Sequence, residues 1–114
     1  GTRFIATREA HAVDDYKRAI VNASASDIVY TNLFTGVHGN YIRESIVNAG
    51  LDPEALPVSD KTAMNFASDK AKAWKDIWGA GQGVGLMDDV PSVAELVERL
   101  KREYDDARER LSLR

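Results

Sequence analysis

Cysteine is absent from this sequence of 114 residues, which excludes disulfide bonds and zinc sites built on thiolates. No apolar run approaches the ~20 residues of a membrane-spanning helix, and no basic segment leads into an apolar one as in a signal peptide. A net charge of -3 gives no basic surface for nucleic acid or for an acidic membrane. We therefore expect a cytoplasmic protein that binds neither nucleic acid nor membranes.

The residues that are present suit one small domain. Hydrophobic residues make up 44% of the chain and charged residues 29%, which allows a modest core and lacks the bias of a disordered chain. The sequence starts with Gly1-Thr2, has no initiator methionine and runs at once into a β-prone stretch. We interpret it as the C-terminal piece of a longer protein, so that part of any site is expected upstream.

Local patterns predict two short strands and a helix in the first part of the chain. Residues 1–7 form a β-prone run that we predict to be a strand. Ile28 to Phe34 is rich in β-branched and aromatic residues, and the Thr35-Gly36 turn ends this second strand. Between them, helical spacing predicts a helix with an apolar face formed by Val13, Tyr16, Ile20 and Ala23.

The middle of the chain predicts further helices. A short one covers Asn40 to Asn48 and ends at Gly50, and a helix of one or two turns begins at Asp52-Pro53-Glu54. Residues 57–67 have the composition of a loop. A longer helix then continues until the glycine-rich run ends it, with an apolar face formed by Ala67, Ala71, Trp74 and Trp78.

The last helix has the most complete local signals. Ser92 and Glu95 form a capping box just after Pro91. Pairs of opposite charge four residues apart are Glu95 with Arg99, Glu98 with Arg102, and Asp106 with Arg110. An apolar stripe alternates spacings of four and three through Val93, Val97, Leu100, Tyr104, Ala107 and Leu111. This pattern predicts a helix that packs one face on its own protein.

The run from Trp78 to Gly85 is rich in glycine without being a dinucleotide-binding fingerprint. The G-x-G-x-x-G motif needs a third glycine where this chain has Val84 or Leu86, and it needs a preceding strand where we predict a helix. Four glycines in seven residues do allow the backbone to approach a flat or anionic group. A flexible joint between two helices is the alternative interpretation.

Few polar residues are candidates for chemistry. His38 lies between glycines in a polar loop, where it can face a ligand or simply be a surface residue, and His11 is expected to be solvated. Neither has companions at metal-ligand spacing, and no Ser/His/Asp set can be assembled, so we predict no metal site and no catalytic residue in this chain. Gly1-Thr2 is either a phosphate-binding strand end of a (β/α)8 barrel or an ordinary strand start.

Four segments, in order, resemble the C-terminal third of the nitronate monooxygenase family, also called 2-nitropropane dioxygenases. They are residues 1–7, Asp27 to Gly36, Trp78 to Gly85 and Pro91 to Leu100, and together they span nearly the whole chain. The resemblance implies an α/β fold in which this chain is the C-terminal portion of an FMN-binding TIM barrel plus its lid segment. Within the chain itself it implies mostly α-helix with one or two short strands.

Family members are FMN-dependent enzymes that oxidise alkyl nitronates with O₂ to a carbonyl compound and nitrite. The resemblance implies that Gly1 and Thr2 help to hold the FMN phosphate at the end of the eighth strand. It also implies a segment that closes over flavin and substrate and carries Tyr30, His38, Gln82 and Gly83, with Gln82 in the family's G-Q element. The family's catalytic histidine lies upstream, so His38 does not take that role.

By the same resemblance, residues 1–26 are the last barrel strand and its helix, 27–90 the lid segment and 91–114 the C-terminal amphipathic helix. One branch of the family has an Ala-Arg pair where this chain has His38-Gly39, which leaves the substrate class open. The alternatives are a fragment of a flavin-dependent enoyl-acyl carrier protein reductase and a non-catalytic helical assembly module.

We expect the isolated chain to lack flavin turnover, because a barrel needs about 250 residues. We also expect it to form a homodimer or higher oligomer through its open apolar faces.

Overall fold

A computed structural model describes residues 1–57 and 75–112 of the chain. Within these ranges, α-helices, two strands and 3-10 helices follow one another. The α-helices are α1 (Thr2–Ile5), α2 (Asp14–Asn22), α3 (Arg43–Asn48) and α4 (Val93–Leu111). The strands are β1 (Ile28–Thr31) and β2 (Gly39–Ile42), and the 3-10 helices are Ala25–Asp27 and Gln82–Leu86. The described part therefore has more helix than strand, with two short strands, although one of the strands lies elsewhere than predicted.

The strand predicted over residues 1–7 is wrong, because this stretch forms helix α1. A strand satisfies its backbone groups only against a neighbouring strand, whereas a helical turn satisfies them locally. The Phe4 N–H donates to the Gly1 carbonyl at 3.0 Å, and the Thr7 hydroxyl donates to the Phe4 carbonyl at 2.8 Å. Gly1 and Thr2 therefore stand at the start of a helix.

Helix α2 confirms the helix predicted around Tyr16. Asp14 and Asp15 occupy its first turn, where their charge complements the positive end of the helix dipole. Ile20 is fully buried, as its position on the predicted apolar face requires. Val13, assigned to the same face, is exposed because it precedes the first turn.

Strands β1 and β2 form an antiparallel hairpin in which Ile28 lies opposite Ile42. The strand predicted from Ile28 is confirmed for four residues, after which the Leu33 N–H donates to Thr31 Oγ1 at 3.1 Å and the chain turns. The helix predicted from Asn40 is partly wrong. Its first residues pair with β1, which supplies their hydrogen bonds, and the helix begins only at Arg43.

An extended segment, Trp78–Ala80, runs along the side of β2 away from β1. The Ile42 N–H donates to the Trp78 carbonyl at 2.8 Å, and the Ala80 N–H donates to the Asn40 carbonyl at 3.2 Å. The helix predicted to include Trp78 therefore stops before this residue. The other residues of its predicted apolar face lie outside the described residues: Ala67, Ala71 and Trp74.

The core lies between α2, β2 and the 3-10 helix Gln82–Leu86. Ile20, Ile42 and Val84 are fully buried there, and Ala6 and Ala19 fill the space between the first two helices. Burying a large aliphatic side chain contributes about 1.5–3 kcal/mol. The glycine-rich run is thus anchored to the core through Val84.

Helix α4 confirms the predicted last helix and its capping box. The Glu95 N–H donates to Ser92 Oγ at 3.2 Å, and the Glu95 carboxylate accepts from the Ser92 N–H at 3.0 Å. A second cap comes from far away in sequence, because the Glu9 carboxylate oxygens lie 3.0 and 3.1 Å from the Val93 nitrogen. Glu95 and Arg99 were predicted to pair with each other. In the structure Glu95 pairs with Arg8, and Arg99 pairs with Asp89.

The apolar stripe predicted on α4 is largely solvent-exposed. Leu96, which the predicted stripe omits, is the side chain of α4 that is buried. The exposed fraction lies between 42% and 79% for Val97, Leu100, Tyr104 and Leu111. Only the first turns of the helix dock on the body of the described structure. No helix in the described ranges is long and apolar enough to cross a bilayer.

Candidate functional site

Thr2 and the glycine-rich run meet at the start of α1. The Gly81 N–H donates to Thr2 Oγ1 at 2.9 Å. A hydroxyl has one donor and two acceptor positions, so Thr2 retains its own proton for a further partner. The structure thus joins two features that are far apart in the sequence.

The glycine-rich run forms the 3-10 helix Gln82–Leu86. Val84 is buried in the core. Gly85 packs against the backbone of Ser24 and Ala25, from which an added Cβ would lie 3.7 Å. Gln82 and Gly83 are exposed. The run is therefore an ordered turn that follows an extended segment, and it presents its predicted lid residues to solvent.

The other two predicted lid residues stack on each other. The rings of Tyr30 and His38 have centroids 4.6 Å apart and planes inclined by 26°. Both side chains are exposed, Tyr30 on β1 and His38 just before β2. Within the described residues, no hydrogen bond or ring contact joins this pair to Thr2 and Gly81. The predicted site residues thus form two groups.

Aromatic side chains line a cavity of about 450 Å³, among them Tyr16 and Trp78, which the sequence interpretation assigned to apolar helix faces. Tyr16 and Trp78 stack with centroids 5.2 Å apart and planes inclined by 6°. Phe34 meets Tyr41 edge to face at 5.0 Å. These rings come from α2, the hairpin and the extended segment, so no local spacing signal connects them.

Tyr16 fixes one wall of this cavity. Its hydroxyl donates to the Gly79 carbonyl at 2.5 Å. Burial raises the pKa of Tyr16 above its ordinary value, so the phenol stays protonated and keeps donating. Tyr41 pairs with Gly79 as well, in an antiparallel bridge. The backbone at Gly79 is therefore held from both sides.

Asp89 anchors α1 through an ion pair with Arg3. Its carboxylate accepts from Arg3 at 2.8 Å and from both terminal nitrogens of Arg99, at 3.0 and 2.7 Å. The hydrogen bond from Arg99 is the main cause that lowers the pKa of Asp89. Arg3 directly follows Thr2, so this cluster positions the helix start that carries the candidate phosphate-binding residues.

His11 is exposed, in agreement with a solvated role. Across residues 1–57 and 75–112, no group of three His, Asp or Glu side chains is arranged to hold a metal ion.

The comparisons with known proteins cover nearly the whole chain. The sequence model of a family described as nitronate monooxygenase matches residues 1–103. No curated protein sequence matches the chain at a significant level.

Two solved structures have a similar fold. A methionine-to-alanine mutant of FabK from Thermotoga maritima matches with a TM-score of 0.67 and 25% identity, over 97% of this chain and 34% of that chain. FabK from Thermotoga maritima matches with a TM-score of 0.63 and 24% identity, over 97% of this chain and 37% of that chain. The chain thus spans about a third of the length of the structures that it matches.

Proposed function

Because this chain belongs to the nitronate monooxygenase family, we propose that it is the C-terminal part of an FMN-dependent oxidoreductase that converts alkyl nitronates and O₂ to a carbonyl compound and nitrite. The flavin of such an enzyme carries the redox chemistry. The protein then has to bind the phosphate, orient the ring and control access to it. The hydrogen bond between Gly81 and Thr2 is the observation that best supports the proposal. It places the Thr2 hydroxyl and the glycine-rich run side by side, where they can bind a phosphate group.

Gly1 and Thr2 are proposed to bind the phosphate. The Thr2 hydroxyl accepts from Gly81 and has its own proton to donate to a phosphate oxygen. Gly1 has no side chain, which suits a close approach of a phosphate to the backbone. Arg3 is occupied by Asp89, so it serves to hold α1 and is not available as a phosphate ligand. The residues present therefore fit a phosphate group held by neutral donors.

Gln82 and Gly83 are proposed to face the flavin ring or the substrate. They are exposed directly beside Gly81, while Val84 anchors the turn in the core. An amide side chain on an anchored turn can donate to, or accept from, a polar ring atom without changing its charge. The Tyr30 and His38 pair is proposed to form a second part of the lid, where its stacked rings present a flat surface.

A flavin-dependent enoyl-acyl carrier protein reductase is the second candidate. The fold shared with FabK, at a TM-score of 0.67, favours keeping it beside the first. In either case we propose that the remainder of the enzyme, including the barrel and the catalytic residues, is supplied by sequence outside this chain. The isolated chain is then expected to show no flavin turnover.

The test uses the parent protein that contains this chain, purified with Thr2→Val or Thr2→Ser. Flavin content after dialysis should fall in Thr2→Val and persist in Thr2→Ser, because one charge-assisted hydrogen bond is worth about 1.5–3 kcal/mol, or roughly 10- to 100-fold in affinity. Mass spectrometry of the released flavin distinguishes FMN from other flavins. Unchanged flavin content in Thr2→Val would remove Thr2 from the phosphate site.

Turnover separates the two candidate reactions. Nitrite release from propyl-2-nitronate in the presence of O₂ supports the proposed function. Reduction of an enoyl thioester by a nicotinamide cofactor, without nitrite release, supports the reductase. A parent protein that retains no flavin and turns over neither substrate would favour the non-catalytic assembly module.

A further inference from the structure

A cavity with aromatic walls lies between α2, the hairpin and residues 75–79. The described residues that line it do not include Thr2 or Gly81, which form the proposed phosphate site. Its lining includes Tyr16, Phe34, Tyr41, Ile77 and Trp78. The volume of about 450 Å³ lies within the ~300–1,000 Å³ of typical small-molecule sites. Aromatic walls favour a planar apolar guest, because rings gain energy in stacked and edge-to-face contacts.

One lysine supplies the fixed charge among the described residues that line the cavity. Lys75 and His11 also line the cavity, and both are exposed to solvent. Among the described residues that line it there is no aspartate or glutamate. Asp15, on the neighbouring turn of α2, is engaged by Arg18 at 2.9 Å. Asp76, next to Lys75 in the sequence, is not among these lining residues, so an anionic group at the rim would meet Lys75 without a carboxylate from the described lining.

The cavity and the proposed phosphate site at Thr2 are joined by a short stretch of backbone. Gly79 lines the cavity, and Gly81, two residues further, donates to Thr2. Two residues of extended chain span at most about 7 Å. Tyr16 and Tyr41 hold this short connection at Gly79, so its position relative to the cavity is fixed.

We propose that this cavity binds a small organic anion with a planar apolar body, such as an aryl-substituted carboxylate. The ring lies among Tyr16, Phe34 and Trp78, and the anionic group lies at Lys75. The inference goes beyond the flavin site and does not depend on it, because none of the residues proposed to bind flavin is among the described residues that line the cavity.

Calorimetric titration of the chain tests this inference with three probes of one shape. They are 3-phenylpropanoate, the neutral 3-phenylpropanamide and the cationic 3-phenylpropylamine. The carboxylate should bind about two- to fivefold more tightly than the amide, the range expected for one partly exposed charge pair, and the amine should bind most weakly. Flavin is absent from this experiment, so its outcome is independent of the proposed function.

Charge variants decide whether Lys75 is responsible. Lys75→Gln should abolish the preference for the carboxylate, and Lys75→Glu should reverse it in favour of the amine. Lys101→Gln, at an exposed lysine paired with Asp105 on α4, is the matched control and should leave the preference intact. Circular dichroism checks that each variant keeps the wild-type fold. The absence of saturable binding at millimolar probe, equal affinity for carboxylate and amide, or a reversal that fails in Lys75→Glu would each overturn the inference.

Discussion

Thr2 and Gly81 are 79 positions apart in the sequence, and the N–H of Gly81 donates to the hydroxyl of Thr2 at 2.9 Å. Gly81 immediately precedes the 3-10 helix of the glycine-rich run, so this bond fixes that turn against the start of α1. Thr2 therefore has a structural partner in addition to its proposed role at the phosphate. The two roles predict different measurements.

Removing the Thr2 hydroxyl should destabilise the chain even when no flavin is present. Thr2→Val keeps the shape of the side chain and leaves the Gly81 N–H without its acceptor, which costs about 1–3 kcal/mol. Urea unfolding followed by circular dichroism measures this difference. Thr2→Ser restores the hydroxyl and should lie close to wild type. If Thr2→Val and Thr2→Ser have the same stability, the bond to Gly81 contributes nothing measurable.

Gln82→Ala in the parent enzyme should alter turnover more than flavin content. Loss of one neutral hydrogen bond to the reacting groups would lower kcat/KM by about two- to tenfold. Steady-state kinetics and flavin absorbance measure the two effects separately. Leu86→Ala is the matched control, since Leu86 is exposed at the other end of the same 3-10 helix. Wild-type kinetics in Gln82→Ala would leave the glycine-rich run a structural turn.

Asp89 should make the chain lose stability in acid. Its pKa is lowered in the folded state, chiefly by the hydrogen bond from Arg99, so its contribution is present above the unfolded pKa of about 4 and is lost as the pH falls through the folded pKa. The side chain is partly exposed, which limits the contribution to about 1 kcal/mol.

Asp89→Asn should accordingly be less stable than wild type at neutral pH and should lose less stability between pH 5 and about pH 2. Urea midpoints measured across this range test it. Asp88→Asn removes a carboxylate one position away and serves as the control for the change in net charge. Parallel pH profiles for wild type and Asp89→Asn would contradict the assignment.

The isolated chain is proposed to self-associate through the exposed apolar stripe of α4. Leu100→Gln, within the stripe, should shift sedimentation equilibrium toward monomer. Arg102→Gln, about 200° around the helix, should leave the association constant unchanged. A wild-type chain that remains monomeric at tens of micromolar would contradict the proposal.

Local signals predicted α4 well and the hairpin poorly. Ser92 and Glu95 are three residues apart, so their reciprocal hydrogen bonds depend on little beyond the helix itself. Residues 39–42 are extended because β1 pairs with them on one side and residues 78–80 on the other. That second partner is nearly 40 positions away, and periodicity in a short window does not detect it.

In the candidate site, too, the contacts between residues distant in sequence were not predicted. The resemblance to a known family supplied Thr2 and Gln82 as candidates, and the structure adds the bond that brings Gly81 to Thr2. Trp78 was interpreted as helical packing, yet it is extended and stacks on Tyr16. Stacking between residues 62 positions apart is a property of the fold, so composition alone had no means of assigning these rings to a cavity.

The anchoring of α4 by Glu9 has a consequence for the order of assembly. Glu9 and Val93 are separated by 84 positions, and Arg3 and Asp89 by 86. Contacts that close such long loops form late, because the chain entropy must be lost before the contacts offset it. During synthesis the first residues of this segment leave the ribosome long before their partners exist. The start of α1, with Thr2 on it, therefore reaches its final position only after the beginning of α4 has emerged from the ribosome.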